Sequence, residues 1–381
     1  MGKLKVLHAH DSDLDDPRII SAAATGKKAG YDQYFCGMNL DSTLSTDVFT
    51  EMKWIDFSTP ARVAKHFIPF VERYWNWYPY PRHAIWLERQ LKQVIDEVRP
   101  DIIHAHNIFV AHYASDFGIP IVLDDHEFYS LHAIAKHERD TGFVNRMKMK
   151  LKYKRWSEWE RQIGERYPII TVSNSIAEHH KQYCSHVFVI PNYPSKSSIE
   201  YNGFNEAKRN ALCSAYVGAD QVFRPNPIRN ITGLYDIFNR NSGIGRLVRI
   251  GVMSPNNSRI RSYGYIPLTD AYRILQQQCH VGLLPWAKHW FHKYCCPNKV
   301  YEYAHCGLWL ITISDLSSVI EDFGSLCDRF DTYDELTSLL EHYNDNPEEL
   351  NKKRLMTLKN AQSNFIWEKE ERKVLEAYKL A

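Results

Sequence analysis

Apolar and polar positions along this chain alternate between two spacings. Short apolar runs stand at residues 5–9, 34–36, 101–104, 120–123 and 169–172. Runs of that length, rich in β-branched residues, fit strands buried on both faces. Between them lie helical spacings. Residues 19–28 put Ile19, Ala22, Ala23 and Gly26 on one face, with Gly30 placed to end the helix. A longer aromatic-rich stretch runs on to Val98 and is closed by Pro100. The Pro-, Asn- and Ser-rich segment 190–198 reads as a linker, and beyond it the alternation restarts. Strand-like runs recur at 215–218, 247–251, 281–284 and 310–313, with helical spacing at 231–239, 268–277 and 299–306. The pattern predicts an α/β protein of two Rossmann-like domains, 1–195 and 196–364, each a parallel sheet covered by helices on both faces. Ligands of such sheets bind beyond the carboxyl ends of the strands, and with two domains the expected site is the cleft between them.

Length and composition agree with two folded domains: 381 residues, 44% hydrophobic and 24% charged. A formal net charge of +2 argues against nucleic acid as the partner of the whole chain. No run reaches 18 apolar residues, and the opening segment from Met1 to Leu7 leads straight into His and Asp. Neither a membrane span nor a secretory signal is expected, and the eight irregularly spaced cysteines suit a reducing, cytoplasmic setting.

The most telling stretch is Cys296-Pro297-Asn298-Lys299-Val300-Tyr301-Glu302-Tyr303-Ala304-His305-Cys306-Gly307. Pro297 suits a helix start, where no N–H is needed. The free N–H groups and positive dipole end near Asn298 would then face a ligand diphosphate, and Glu302, one turn on, could accept bonds from ribose hydroxyls. This stretch resembles the P-x-K-x-x-E-Y-x-A-x-G segment of glycosyltransferase family 4, of the GT-B superfamily. Asp101-Ile102-Ile103-His104-Ala105-His106-Asn107, Asp124-Asp125-His126-Glu127, Thr171-Val172-Ser173, Ile190-Pro191-Asn192, Gly264-Tyr265-Ile266-Pro267 and Gly282-Leu283-Leu284-Pro285 follow in the family's order. Phe365-Ile366-Trp367-Glu368 resembles the start of the helix that returns to the first domain, so residues 365–381 are expected to cross back.

The resemblance implies a hexosyltransferase-like enzyme that moves a sugar, with retention, from a nucleotide-sugar donor to a glycan, lipid-linked or other cell-envelope acceptor. It places the donor on Asn298, Lys299, Glu302, Tyr294 and Arg224 or Arg229. It places catalysis and acceptor binding on His106, Asp125, His126 and Glu127. Departures stand beside the matches: Tyr294 occupies a position often held by a second glutamate, and Ala219-Asp220 stand where an arginine is usual. A nucleotide-sugar epimerase of the same fold and a non-catalytic nucleotide-sugar binder are therefore the alternative readings.

Two further clusters bear on cofactors and location. His289, His292, Cys295 and Cys296 could be read as zinc ligands, but adjacent cysteines chelate one ion poorly and no C-x2-C knuckle is present. No metal or other cofactor is expected, since a helix N-terminus and arginines can neutralise a diphosphate. From Arg146 to Arg166 eight basic residues face three acidic ones, with Met147, Met149, Leu151, Tyr153, Trp156 and Trp159 interleaved. That surplus suits either peripheral contact with an anionic membrane surface or a solvated helix whose aromatics pack inward.

Overall fold

The computed structural model describes residues 3–11, 14, 16–38, 47–55, 81–136, 138, 142–218, 227–251 and 256–381. Chain contacts divide it into two units, Met1–Pro191 with Glu370–Ala381, and Asn192–Lys369. The first boundary falls four residues before the expected 195, because Tyr193 packs on Tyr301 and Phe365 of the second unit. The return to the first unit begins at Glu370 rather than 365, since Trp367 N–H donates to Pro194 and Lys196 N–H to Glu368.

The first unit is built on seven parallel strands: β1 (Lys5–Ala9), β2 (Asp32–Met38), β3 (Glu51–Ile55), β4 (Ile102–Ala105), β5 (Ile121–Asp125), β6 (Ile169–Thr171) and β7 (Val187–Val189). Their order is β3-β2-β1-β4-β5-β6-β7. The strand order reverses at β1, so the crevice beyond the carboxyl ends of β1 and β4 is the unit's natural ligand position. Side chains of β1, β4 and β5 are almost wholly buried, which is why these runs are mostly apolar and why the His and Asp within them must find partners.

Helix α1 (Pro17–Lys28) begins with Pro at its first turn and is capped by Asp16, which accepts the Arg18 N–H at 2.9 Å. The C-terminal helix Glu371–Leu380 docks on this unit through Tyr378, through Lys28 on Glu371 and through Lys373 on the Val189 carbonyl.

The second unit carries six parallel strands: β8 (Cys213–Val217), β9 (Arg246–Ile250), β10 (Ile260–Ser262), β11 (Val281–Leu284), β12 (Trp309–Ile313) and β13 (Cys327–Phe330). Their order, β10-β9-β8-β11-β12-β13, puts the reversal at β8 and β11. Helix Asn298–His305 packs on β11 where Gly282 makes room: a Cβ there would stand 2.4 Å from the Tyr303 ring. Among the described residues, no helix is long and apolar enough to cross a membrane.

Candidate functional site

In the first unit, two parallel strands each end in a His-x-His pattern. His8 of β1 lies opposite His104 of β4 in register, and His106 follows one pleat later. All three rings are fully buried. His8 Nδ1 meets His106 Nε2 at 3.0 Å, and His104 Nδ1 meets the Tyr378 hydroxyl at 2.8 Å. The free nitrogens of His104 and His106 face Asp124 Oδ2 at 3.5 and 3.7 Å. Arg18 Nε in turn donates to both Asp124 oxygens, at 2.8 and 3.0 Å, and Arg18 Nη1 to the Ile190 carbonyl.

Burial keeps the three imidazoles neutral, reinforced by His104 acting on His8 and His106 and by Arg18 acting on His104; His8 is pushed down to about 3. Burial alone would raise the Asp124 carboxyl, but Arg18 and the histidines hold it well below the usual carboxylate range. Turning the Gln33 amide, whose Nε2 has no partner as placed, lets it donate to His8 Nε2. Hydrogen bonds then run one way, from Gln33 through His8 to His106, whose Nδ1–H faces Asp124 Oδ2 at 3.7 Å without bonding it.

Among the described residues, His8, His104 and His106 are the one group close enough to share a metal ion. Their rings lie at 17°, 20° and 37° to one another. Both His8 nitrogens and His104 Nδ1 already hold hydrogen bonds, and Arg18 adds a cation nearby. The cluster is organised for hydrogen bonding. The zinc reading of the second unit meets other partners: His292 donates to the Ile228 carbonyl at 2.6 Å, and Cys296 Sγ lies 3.3 Å from the Tyr301 hydroxyl.

Asp125, the last residue of β5, is also fully buried; its carboxylate binds His180 Nε2 at 2.7 Å. His126 and Glu127 are the members of the motif that reach solvent. His126 Nε2 donates to the His106 carbonyl at 2.7 Å, and Nδ1 lies 3.3 Å from Asp16. Burial opposes the charged ring, but Asp16 and Asp124 outweigh it and raise His126 to about 9. Phe128, buried against His179, holds φ at 47°, a conformation costly for a bulky residue. The turn that presents His126 is therefore over-determined by packing. Asn107 adds to the rim, accepting the Val110 N–H while donating to Asp11 at 2.6 Å.

Of the four residues expected to act here, His106 and Asp125 are fully buried, His126 is part-exposed with both nitrogens engaged, and Glu127 is exposed. Sequence reasoning missed His8, Arg18, Asp16 and Asp124 as members of the site. The recurring His-x-His at two strand ends was the available signal; Arg18 and Asp16 join only through the fold.

In the second unit, Lys299 and Glu302 sit in the first turns of the helix that begins beyond the carboxyl end of β11. A Cβ at Gly218, just past β8, would stand 3.6 Å from Lys299 Nζ. The Tyr272 hydroxyl donates to Glu302 Oε1 at 3.3 Å. Lys299 Nζ lies 5.3 Å from the Trp286 ring centre, Arg229 at 6.0 Å from the same ring, and the buried Arg249 at 4.8 Å from Tyr216. Burial, then Arg229, lowers the Lys299 ammonium to about 8, against the pull of Glu302. Burial raises the Glu302 carboxyl, opposed by Lys299.

Gly251 closes the other side. Its φ is 113°, and a Cβ there would meet the Gly218 backbone at 2.9 Å, so the loops after β8 and β9 approach as only glycine permits. Asn298 is exposed at the helix start, and Tyr294 ends the short 3₁₀ turn Trp290–Tyr294. Arg224 lies outside the described residues.

The long helix Phe143–Gly164 divides the basic stretch into two parts. Trp156 and Trp159 pack inward on Phe109, and Trp159 stacks on His112 at 4.0 Å. Glu160 is buried and accepts the Ser130 N–H and hydroxyl. Phe143, Met147 and Leu151, four residues apart, are exposed among the exposed Arg146, Lys150 and Lys154.

Residues 45–193 match the family described as Glycosyltransferase Family 4. No sequence among curated proteins matches the chain. Sucrose-phosphate synthase from Thermosynechococcus elongatus shares the fold with a TM-score of 0.69 at 11% identity, over 99% of this chain and 98% of that one. HepE from Anabaena, solved with UDP and glucose, superposes with a TM-score of 0.65 at 10% identity, over 99% of each chain. A glycosyltransferase from Rickettsia africae gives 0.61 at 10% identity, over 100% of this chain and 98% of that one. The fold is GT-B.

Proposed function

We propose that this glycosyltransferase family 4-like chain is a glycosyltransferase that takes a sugar from a nucleotide-sugar donor. The observation that carries the reading is the Lys299–Glu302 turn. It starts a helix at the strand-order reversal of the second sheet, with Gly218 beside the ammonium and Arg229 close by. Fixed positive charge and free helix N–H groups suit the diphosphate that leaves as the glycosidic bond breaks. Glu302 suits the ribose hydroxyls. Glu127 suits acceptor hydroxyls and the His126 cation beside it suits developing negative charge, with His106 and Asp124 as positioning residues behind them. The resemblance carries retention, and a glycan or lipid-linked acceptor. The amphipathic stripe of Phe143, Met147 and Leu151 amid cations favours a lipid-linked one.

The test is a thermal-shift series with UDP, GDP, ADP and their sugars. A ligand at 100 times its Kd stabilises by about 2.7 kcal/mol. Nucleotide-sugar consumption with added acceptors follows. No stabilisation by any nucleotide would overturn the reading. Binding without sugar release or transfer would favour a non-catalytic binder, which Tyr294 in place of a second carboxylate also suits. An acceptor-free, rearranged sugar nucleotide would indicate an epimerase.

A further inference from the structure

The amino-terminal side of the second sheet holds a separate feature. Where the amino ends of β8, β9, β10 and β11 meet, a cavity of about 890 Å³ opens. It lies opposite the strand ends that carry Lys299 and Glu302, and its volume falls in the range of small-molecule sites. Among the described residues its lining includes no acidic side chain, while Arg246, Arg259 and Arg261 all contribute.

The arginines are not scattered. β9 and β10 run parallel with Leu247 opposite Ile260 and Val248 opposite Arg261. Arg246 and Arg259 are therefore the preceding register pair, and all three guanidiniums share one face of two neighbouring strands. Like charges placed so repel unless something answers them. Arg259 donates to the Asn241 carbonyl at 3.1 Å and Arg261 lies over Tyr263, but among the described residues none of the three is paired with a carboxylate.

A second observation is independent of charge. His280 lines the cavity and is 2% exposed. Its Nδ1 accepts the Cys213 N–H at 2.9 Å, and burial lowers the ring to about 3, so the neutral ring carries its proton on Nε2. Among the described residues that Nε2–H has no acceptor. A buried donor without a partner is costly, and an acceptor oxygen would remove the cost. Asn210, Asn257 and Gln278 add neutral amides to the lining.

We propose that this cavity binds an anionic carbohydrate: guanidiniums take its phosphate or carboxylate groups, and the amides take its hydroxyls. Guanidinium forks match either anion with paired hydrogen bonds. The site is distinct from the donor site proposed above and does not depend on it.

Isothermal calorimetry on the full chain tests this with glucose 6-phosphate and with trigalacturonate, against glucose, maltotriose and inorganic phosphate. One anionic sugar should bind, and which one does tells a sugar phosphate from an acidic glycan. Its affinity should fall about tenfold in Arg246→Gln and in Arg261→Gln, and further in the double variant, with UDP or GDP affinity unmoved. Melting temperature reports folding, and the single variants carry the comparison should the double melt early. No binding by either anionic sugar overturns the proposal, and so does binding that both arginine variants retain. Inorganic phosphate binding as tightly as the sugars would also overturn the carbohydrate assignment.

Discussion

His8 Nδ1 stands 3.0 Å from His106 Nε2, with both rings fully buried. This bond commits Nε2 of His106 to another buried side chain, and its second nitrogen faces Asp124. The His106 backbone carbonyl receives the His126 Nε2–H. The imidazole that reaches solvent is held by one that does not.

The network stands on Arg18 and Asp124, whose side chains are 3% and 1% exposed. Asp124→Asn leaves the guanidinium without its anion in a dry environment and should destabilise by about 3–5 kcal/mol. The double replacement Arg18→Met with Asp124→Leu should cost clearly less than the sum of the two single changes. Urea melts of the four proteins check both statements.

Stability should peak near pH 6.5 and fall on either side. His8, His112 and His280 have folded pKa values of about 3, 4 and 3, each below its unfolded value, so their stabilisation is lost as pH falls below 6.5. His126 is raised to about 9, so its contribution is complete below 6.5 and lost as pH rises towards 9. That limb is of order 2–3 kcal/mol and is clearest up to pH 8, where Lys299 begins to titrate in the opposite sense. Melting temperature against pH should show both limbs, and His126→Gln should lack the alkaline one.

Glu302→Ala should weaken nucleotide binding by about 1.5–3 kcal/mol, the worth of hydrogen bonds to a charged group. Its fold partner is the Tyr272 hydroxyl at 3.3 Å, so melting should shift little. Calorimetry with the best nucleotide decides, and unchanged affinity would remove Glu302 from the site.

Diphosphate binding beside Lys299 should raise its pKa from about 8, so the protein takes up protons on binding near pH 8. Calorimetry in two buffers of different ionisation enthalpy measures that uptake. Lys299→Arg, charged throughout, should abolish it.

Wild-type protein should co-sediment with anionic liposomes at low salt and release at high salt, since screening removes surface attraction beyond a Debye length. Changing Phe143, Met147 and Leu151 to Ser, or Lys150 and Lys154 to Gln, should each reduce the bound fraction. Equal sedimentation by all three proteins would make the stripe an ordinary exposed helix face.

The sequence by itself determined the interior of each sheet and several of the helices between strands. β1, β2, β4, β5 and β6, and then β8, β9, β11 and β12, all stand where short apolar runs predict them. The four strands it did not reveal, β3, β7, β10 and β13, are the four sheet edges. An edge strand is short and part-exposed, so Glu51–Ile55 and Ile260–Ser262 show no continuous apolar run. Motif spacing likewise placed Lys299 and Glu302 on one helix start, because residues three apart share a helix face. Tertiary structure alone decided which polar groups met. Arg18 and Asp124 are 106 residues apart, and His104 and Tyr378 are 274 apart. A buried charge must find its partner wherever the fold supplies one, and local pattern carries no record of that choice. Which histidine turns outward was settled there too, by the packing that forces Phe128 into its left-handed turn.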